Sequence, residues 1–220
     1  MNTGKLIILN GSSSCGKTST CRVLQDMLEE QFILLGLDVY SQSTPPKQNN
    51  MMTIEPDYFS AKRYMKEGLE YYEIATGPLL DRVIFTSYRS IAVYLEAGMN
   101  VVSDQLFWTP QWFRAALDAF IPYHVFFVGV FVSDAEGVRR ELQRSQASGS
   151  HDIVGNGRPG GWNRTSAVVT HKDMLYDFSI DNTYLSIHDT AQQIKSAYES
   201  TPNPMAWETL FQTFKSDKNS

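Results

Sequence analysis

The sequence predicts an α/β protein in which a parallel β-sheet carries helices on both faces, and three observations indicate this fold class. Short apolar runs of strand length alternate with longer segments whose apolar residues recur at helical spacing. The predicted strand at residues 123–132 contains a continuous apolar run at 125–132, as expected of a strand that is buried on both faces of a parallel sheet. The run at residues 5–10 leads directly into a phosphate-binding pattern, which α/β proteins place between a strand and a helix.

Residues 11–18 match the phosphate-binding loop pattern G-x-x-x-x-G-K-[ST] at every fixed position. Its glycines let the backbone present several N–H groups to a polyphosphate, and the following helix adds the positive end of its dipole. We expect the Lys17 ammonium to contact the terminal phosphates and the Thr18 hydroxyl to bind Mg²⁺. The sequence therefore predicts a nucleotide-binding protein. The expected nucleotide contacts are Gly11, Ser12, Ser13, Ser14, Cys15, Gly16, Lys17, Thr18 and Ser19.

The remaining elements are predicted from apolar spacing and from turn residues. The helix after the loop is expected to end near residue 30, and residues 53–75, rich in aromatic side chains, are expected to be partly helical. Strands are predicted at residues 5–10, 32–37, 100–103, 123–132 and 178–181. Further helices are predicted at residues 78–97, 110–120, 166–174, 187–198 and 205–214, with one more opening at 133.

Length and composition indicate one soluble domain. At 220 residues the chain can bury one sizeable core, with 42 % apolar and 20 % charged residues. We expect a domain at residues 1–200, with a lid at about 140–165, and a tail at 201–220. The net charge of −5 disfavours nucleic acid as a partner, because phosphate backbones require a basic face.

The sequence predicts a cytoplasmic protein with no membrane partner. The start of the chain shows no secretory signal, and the longest apolar run is far shorter than the ~20 residues of a membrane helix. Cys15 and Cys21 are too few for a disulfide framework or a metal set. Residues 205–214 leave two alternatives, homo-oligomer formation or packing on their own domain, and the second is favoured.

Two carboxylates follow predicted strands, Asp38 after residues 32–37 and Asp104 after residues 100–103. Ligands of open α/β sheets bind outside the carboxyl ends of the strands, so both positions are candidates. Asp104 is a candidate for holding Mg²⁺ in phosphoryl transfer, and the alternative is an acid that caps the next turn. Asp38 is either a base that accepts a hydroxyl proton or a strand-end aspartate bonded to backbone.

Two other patterns are not interpreted as sites. Residues 155–160 spell G-x-G-x-x-G, but no strand precedes them and they contain proline, so a dinucleotide site is not expected. The histidines at positions 124, 151, 171 and 188 lack metal-ligand spacing. We expect His171 to be an ordinary surface histidine.

Several segments between residue 5 and about 198 occur in an order that is more specific than any one of them. They are residues 8–18, 35–38, 101–104, 128–130, 140–144, and 171–183 with gaps. In this order they resemble the chloramphenicol phosphotransferase family. The resemblance implies a P-loop kinase-like three-layer α/β/α fold with a five-stranded parallel sheet and an arginine-bearing lid. It also implies ATP-dependent phosphorylation of a hydroxyl group.

The resemblance assigns roles to individual residues. Lys17 and Thr18 would serve the phosphates and Mg²⁺, and Asp38 matches the proposed catalytic base of the family. Arg140 and Arg144 match its lid arginines, which can stabilise charge on the transferring phosphoryl group. From the residues alone, a solvated basic helix face is the alternative for this pair. Residues 41–76 show no match, so the resemblance does not identify the acceptor.

The leading hypothesis is a small-molecule kinase that uses ATP and Mg²⁺, with a hydroxyl-bearing acceptor. A nucleoside, nucleotide or sugar kinase shares the same machinery, and a kinase of protein or tRNA hydroxyls is a further alternative. A nucleotide-dependent binding module is the alternative from a different class. Asp38 and the paired arginines favour catalysis, because a pure switch needs neither.

Overall fold

Strands and helices alternate along residues 3–41, 43, 57–147 and 161–216, which are the residues that this computed structural model describes. The strands are β1 (Lys5–Gly11), β2 (Phe32–Leu34), β3 (Phe59–Lys66), β4 (Leu69–Thr76), β5 (Asn100–Gln105), β6 (His124–Phe131) and β7 (Phe178–Asp181). The helices are α1 (Lys17–Met27), α2 (Leu37–Ser41), α3 (Pro78–Glu96), α4 (Pro110–Phe120), α5 (Asp134–Ala147), α6 (Trp162–Thr170), α7 (Ile187–Ser200) and α8 (Ala206–Ser216).

Five of these strands form one sheet in the order β2-β5-β1-β6-β7, and every pairing in it is parallel. Strand β1 lies in the middle, with Leu9 opposite Asp104 of β5 on one side and Val128 of β6 on the other. The predicted five-stranded parallel sheet is confirmed. Because all carboxyl ends share one edge, the phosphate loop after β1 lies at the centre of that edge.

Helices cover both faces of the sheet and enclose two separate apolar clusters. Alternate residues of β1 face opposite ways, so Leu6 and Ile8 pack with α3, α4 and α8, whereas Ile7 and Leu9 pack with α1 and α7. This arrangement confirms the three-layer α/β/α prediction. Among the described helices, none has the length and apolar character required to cross a membrane.

The helical prediction for residues 53–75 is wrong, because β3 and β4 form an antiparallel hairpin there. Glu67 and Gly68 form its two-residue turn with φ values of 53° and 76°, the positive values that tight hairpin turns require. Tyr64 lies opposite Tyr71, and their rings stack at 5.7 Å. Such cross-strand aromatic pairs favour strands over helices. Part of the acceptor-side stretch, residues 44–56, lies outside the described residues.

Some predicted boundaries are also displaced. Strand β2 ends at Leu34, so Asp38 is not at a strand end but is the second residue of the short helix α2. Helix α1 ends at Met27 rather than near residue 30, and α6 begins at Trp162 rather than at 166. Within the predicted lid, residues 148–160 lie outside the described residues, and so does the G-x-G-x-x-G pattern.

The C-terminal helix α8 packs against the sheet, as favoured for residues 205–214. The Trp207 ring contacts the rings of Phe107, Phe113 and Phe127, with centroids 6.4, 5.7 and 5.0 Å away. Leu210 is buried one turn later. Aromatic rings bury large apolar areas, so α8 contributes to the hydrophobic core of the domain.

We therefore predict that Trp207→Ala lowers the free energy of unfolding by about 3–5 kcal/mol, because it opens a cavity among packed rings. Met205→Ala is the matched control, since Met205 lies two residues earlier and its side chain is exposed. Urea unfolding followed by circular dichroism measures both changes. Equal effects of the two substitutions would contradict the assigned packing of α8.

Candidate active site

The phosphate loop joins β1 to α1 in a conformation that turns its backbone inward. Ser14 and Gly16 both have positive φ, 58° and 94°. Helix α1 begins at Lys17, so the unpaired N–H groups of its first turn lie at the loop. The buried Lys17 ammonium donates to the carbonyl of Gly11 at 2.8 Å and to that of Ser12 at 2.6 Å. The predicted lysine therefore already lies across the loop that would receive phosphate.

The two predicted metal ligands lie in contact. The Thr18 hydroxyl donates a hydrogen bond to Oδ2 of Asp104, which lies inside β5 beside β1. Burial raises the pKa of the Asp104 carboxyl, and the Thr18 bond and the Lys17 charge oppose that rise. Hydroxyl and carboxylate oxygens are ligands that suit Mg²⁺. This pair fits that ion, and no group of three or more His, Cys, Asp or Glu among the described residues forms another metal site.

Asp38 lies beside this pair because the chain between β2 and α2 passes directly against Asp104. A Cβ atom on Gly36 would overlap Oδ1 of Asp104, so this position requires glycine. Asp38 follows two residues later, half-buried, and lines the same cavity as Lys17 and Thr18. Its negative charge contributes to the raised pKa of Asp104. The two carboxylates therefore line one cavity, close enough for their charges to interact.

Arg140 of α5 joins three parts of the site. Its guanidinium donates to Oε1 of Glu136 at 2.7 Å, to the Asn182 carbonyl at 2.9 Å and to the Cys15 carbonyl at 3.4 Å. Arg144, one turn further along α5, is exposed and lines the same cavity. The two predicted lid arginines thus both line the cavity, and Arg140 also contacts the phosphate loop at the Cys15 carbonyl.

Glu136 fixes the direction of Arg140. Its carboxylate accepts hydrogen bonds from Arg139 and from Arg140, and these bonds lower its pKa to about 2. It is therefore charged at neutral pH and holds both guanidinium groups on the side of α5 that faces the cavity.

The residues that follow β7 also line the cavity, which has a volume of about 600 Å³. Asn182 donates to the Cys15 carbonyl at 2.6 Å, and the neighbouring Tyr184 side chain is 97 % exposed at the cavity rim. Sequence reasoning assigned no role to either residue, although residues 181–183 belong to the segments that carry the resemblance. An asparagine that donates a hydrogen bond to the carbonyl of a distant loop is not marked by any local sequence pattern, so this role becomes visible only in the folded structure.

Helix α6 supplies a second set of loop contacts that the sequence did not indicate. The Asn163 amide donates to the hydroxyl of Ser12 at 2.9 Å and also to the carbonyl of Ser13. The hydroxyl of Ser166 accepts a hydrogen bond from the Ser13 N–H at 2.8 Å. All but the outer end of the loop is therefore enclosed by protein.

Residues 4–199 match the family model described as chloramphenicol phosphotransferase-like protein. The chain belongs to this family. Two related proteins, from two strains of Mycobacterium tuberculosis, are each provisionally named an O-phosphotransferase. Each is 40 % identical over 217 residues, which is 98 % of this chain and 92 % of the relative. The family model ends before α8, whereas these relatives extend through it.

This phosphotransferase-like chain also shares its fold with solved kinases. An APS kinase of Mycobacterium tuberculosis, in complex with AMPPNP and APS, aligns with a TM-score of 0.57 at 12 % identity, over 90 % of this chain and 99 % of that chain. A gluconokinase of Sinorhizobium meliloti aligns at 0.57 and 15 % identity, over 96 % and 98 %. These likenesses confirm the P-loop kinase fold. Family and fold together class the protein as a kinase or phosphotransferase acting on hydroxyl groups.

His171 of this family member is not the ordinary surface histidine that the sequence suggested. Its ring stacks on Phe131 at 4.0 Å, and Nδ1 shares a hydrogen bond of 2.8 Å with the Tyr176 hydroxyl. Burial, followed by the charge of Lys17, lowers its pKa from 6.5 to about 4. The imidazole is therefore neutral at physiological pH, and its partner Tyr176 in turn accepts a hydrogen bond from the Asn10 amide of β1 at 2.8 Å.

We predict that the free energy of unfolding falls as the pH is lowered from about 6.5 towards 4. In this range His171 is protonated in the unfolded state, where its pKa is 6.5, but not in the folded state, where its pKa is about 4. Above pH 6.5 His171 is neutral in both states, so it no longer makes the free energy of unfolding depend on pH. His171→Gln should flatten the slope within this window, even if it lowers stability throughout. His188→Gln is the control, since His188 is exposed. Urea unfolding at several pH values tests this, and parallel slopes for all three proteins would refute it.

Proposed function

We propose that this protein transfers the γ-phosphoryl group of ATP to a hydroxyl group of a small molecule. The observation that carries the proposal is the convergence of Lys17, Thr18, Asp104 and Asp38 on one cavity. Phosphoryl transfer requires phosphate binding, charge neutralisation and a proton acceptor together, and a binding site alone does not require the last of these. A cavity of about 600 Å³ also suits a nucleotide and a small acceptor.

The donor nucleotide would lie along the loop with its phosphates on the N–H groups at the start of α1. The Lys17 ammonium, which now donates to loop carbonyls, would turn to the phosphate oxygens. Tyr184, exposed at the far rim, offers a ring face for stacking against the base. Thr18 and Asp104 would hold Mg²⁺, which neutralises charge on the phosphate oxygens when it is bound.

Asp38 is our candidate for the general base. As the acceptor oxygen forms its bond to the γ-phosphorus, the bond from that phosphorus to the oxygen of ADP breaks, and the hydroxyl proton passes to the Asp38 carboxylate. The position of Asp38 in the cavity that also contains Lys17 and Thr18 supports this assignment, because a general base must lie within reach of the hydroxyl that it deprotonates.

We propose different tasks for the two arginines of α5, within a lid that this helix begins. Arg140 holds the phosphate loop against the residues after β7, through its bonds to the carbonyls of Cys15 and Asn182. Arg144 extends into the cavity from the next turn, where it would stabilise charge on the transferring phosphoryl group. Arg140 therefore positions the phosphate loop, and Arg144 supplies positive charge to the transferring phosphoryl group.

The proposal is tested by incubating the purified protein with ATP, Mg²⁺ and a panel of sugars, nucleosides, chloramphenicol and a metabolite extract. Mass spectrometry should show ADP together with an acceptor that has gained one phosphoryl group. A product from the sugar or nucleoside arm would select the sugar or nucleoside kinase alternative. Tight nucleotide binding without any product across the panel would instead support a nucleotide-dependent binding module.

We predict that Asp38→Asn abolishes phosphoryl transfer, lowering kcat by at least about 10²-fold, since general bases contribute about 10²–10⁴-fold. Nucleotide affinity, measured by calorimetry, should stay within about threefold, because Asp38 serves the acceptor rather than the donor. Asp118→Asn removes an exposed carboxylate of α4 that does not line the cavity and is the charge-matched control. Wild-type turnover of the Asp38 variant would eliminate the base assignment.

We predict that substituting Arg140 changes nucleotide affinity, whereas substituting Arg144 changes kcat. Arg140→Ala should weaken nucleotide binding about tenfold, since each charged hydrogen bond lost at the loop contributes about 1.5–3 kcal/mol. Arg144→Ala should lower kcat about 10²-fold or more, in line with arginines that stabilise the transferring group, and leave affinity nearly unchanged. Steady-state kinetics and calorimetry on both variants distinguish the roles. Identical profiles would refute the division of tasks.

A further inference from the structure

Helix α6 contacts the phosphate loop with one face, through side chains at positions 163, 166 and 170. This spacing places them on the same side of a helix. Beyond the bonds of Asn163 and Ser166 to residues 12 and 13, the Thr170 hydroxyl donates to Oδ1 of Asn10 at 2.9 Å. The Asn10 amide returns a bond of 2.8 Å to the Thr170 carbonyl. Helix α6 therefore holds the end of β1 and the first half of the loop.

The same helix holds the β3–β4 hairpin with a different face. The Thr165 hydroxyl accepts a hydrogen bond from the Tyr72 N–H at 2.9 Å, and Arg164 donates to the Glu70 carbonyl at 2.9 Å. A Cβ atom on Gly161 would lie 2.5 Å from that carbonyl, so the chain entering α6 is in direct contact with β4. Ser166 and Thr165 are thus neighbours in sequence that serve the loop and the hairpin respectively.

Aromatic contacts place the hairpin near the carboxyl edge of the sheet. The Tyr72 ring lies 5.5 Å from the Trp162 ring, which lies 5.5 Å from that of Trp108. Trp108 follows Asp104 by four residues, at the edge where ligands of this fold bind. The hairpin therefore packs, through Trp162 and Trp108, near the carboxyl edge of the sheet.

Nucleotide binding must rearrange bonds at the residues that α6 holds. Lys17 donates to the carbonyls of Gly11 and Ser12, and a phosphate would draw this ammonium away from them. Asn163 contacts the hydroxyl of Ser12 and the carbonyl of Ser13, adjacent to the change. Close-packed elements respond to such a change by shifting together, because they cannot deform freely.

We infer that α6 couples nucleotide occupancy of the phosphate loop to the ordering of the β3–β4 hairpin, with Ser166 and Thr165 as positioning residues. The inference rests on the proposed function, in that the loop must bind a nucleotide. Coupling is reciprocal, so ordering of the hairpin tightens nucleotide binding by the same factor. Thr165 and Ser166 act through the hairpin and the loop that they contact rather than on the nucleotide itself.

The test is amide hydrogen exchange, followed by mass spectrometry, on the full chain with and without saturating AMPPNP and Mg²⁺. In the wild type, nucleotide should slow exchange of residues 69–76 by about fivefold or more, the lower end of typical coupling. Thr165→Val should reduce this ratio below about twofold, while nucleotide still protects residues 11–19. Ser166→Ala should also reduce this exchange ratio, because it removes the hydrogen bond between α6 and the Ser13 N–H. Val168→Ala, an exposed position on α6, is the control and should keep the wild-type ratio.

The ratio separates coupling from a structural role, because simple weakening of the hairpin would speed exchange equally with and without nucleotide. Thr165→Ser retains the hydroxyl and should restore the wild-type ratio. Unchanged exchange of residues 69–76 in the wild type, despite protection of residues 11–19, overturns the inference alone. A full wild-type ratio in both Thr165→Val and Ser166→Ala also overturns it. Absence of protection at residues 11–19 overturns the proposed function together with the inference. If Thr165→Val does not fold, Ser166→Ala decides.

Discussion

The phosphate loop depends on one physical constraint, because its backbone polar groups are buried outside regular secondary structure. Each such group without a partner costs about 1–3 kcal/mol, so neighbouring side chains must satisfy it. Lys17 serves the carbonyls of Gly11 and Ser12, and Asn182 serves that of Cys15. Helix α1 supplies Lys17, and α5, α6 and the residues after β7 supply the other partners, so the loop constrains where these elements lie.

Charge imposes a second constraint on the same region. Two carboxylates, Asp38 and Asp104, line one cavity with Lys17 between the loop carbonyls. A triphosphate brought into this cavity would add several negative charges beside a buried carboxylate. Lys17 and the arginines of α5 offset only part of that charge, and the Thr18–Asp104 oxygen pair is suited to a divalent cation that offsets more. The donor set and the expected cation therefore follow from one electrostatic requirement.

Local signals were enough to predict the donor half of the site. The loop, its strand and its helix are contiguous, and Asp104 comes directly after residues 100–103, which the sequence predicts to form a strand. The strand before Asp38 ends earlier than predicted. Asp38 nevertheless lies in the site, because the chain passes Asp104 at Gly36. The contact of Asn163 with Ser12 spans 151 positions and has no local pattern. Only the fold brings those two residues together.

The hairpin escaped prediction for a different reason. A strand shows alternating polarity when one of its faces is buried, and β4 is instead exposed or half-buried along its length. A two-stranded pair of this kind is marginally stable alone, so its position depends on contacts from outside. Thr165, Arg164 and the chain at Gly161 supply them from α6. The hairpin, which is the larger described part of residues 41–76, is therefore positioned by the helix that also contacts the phosphate loop.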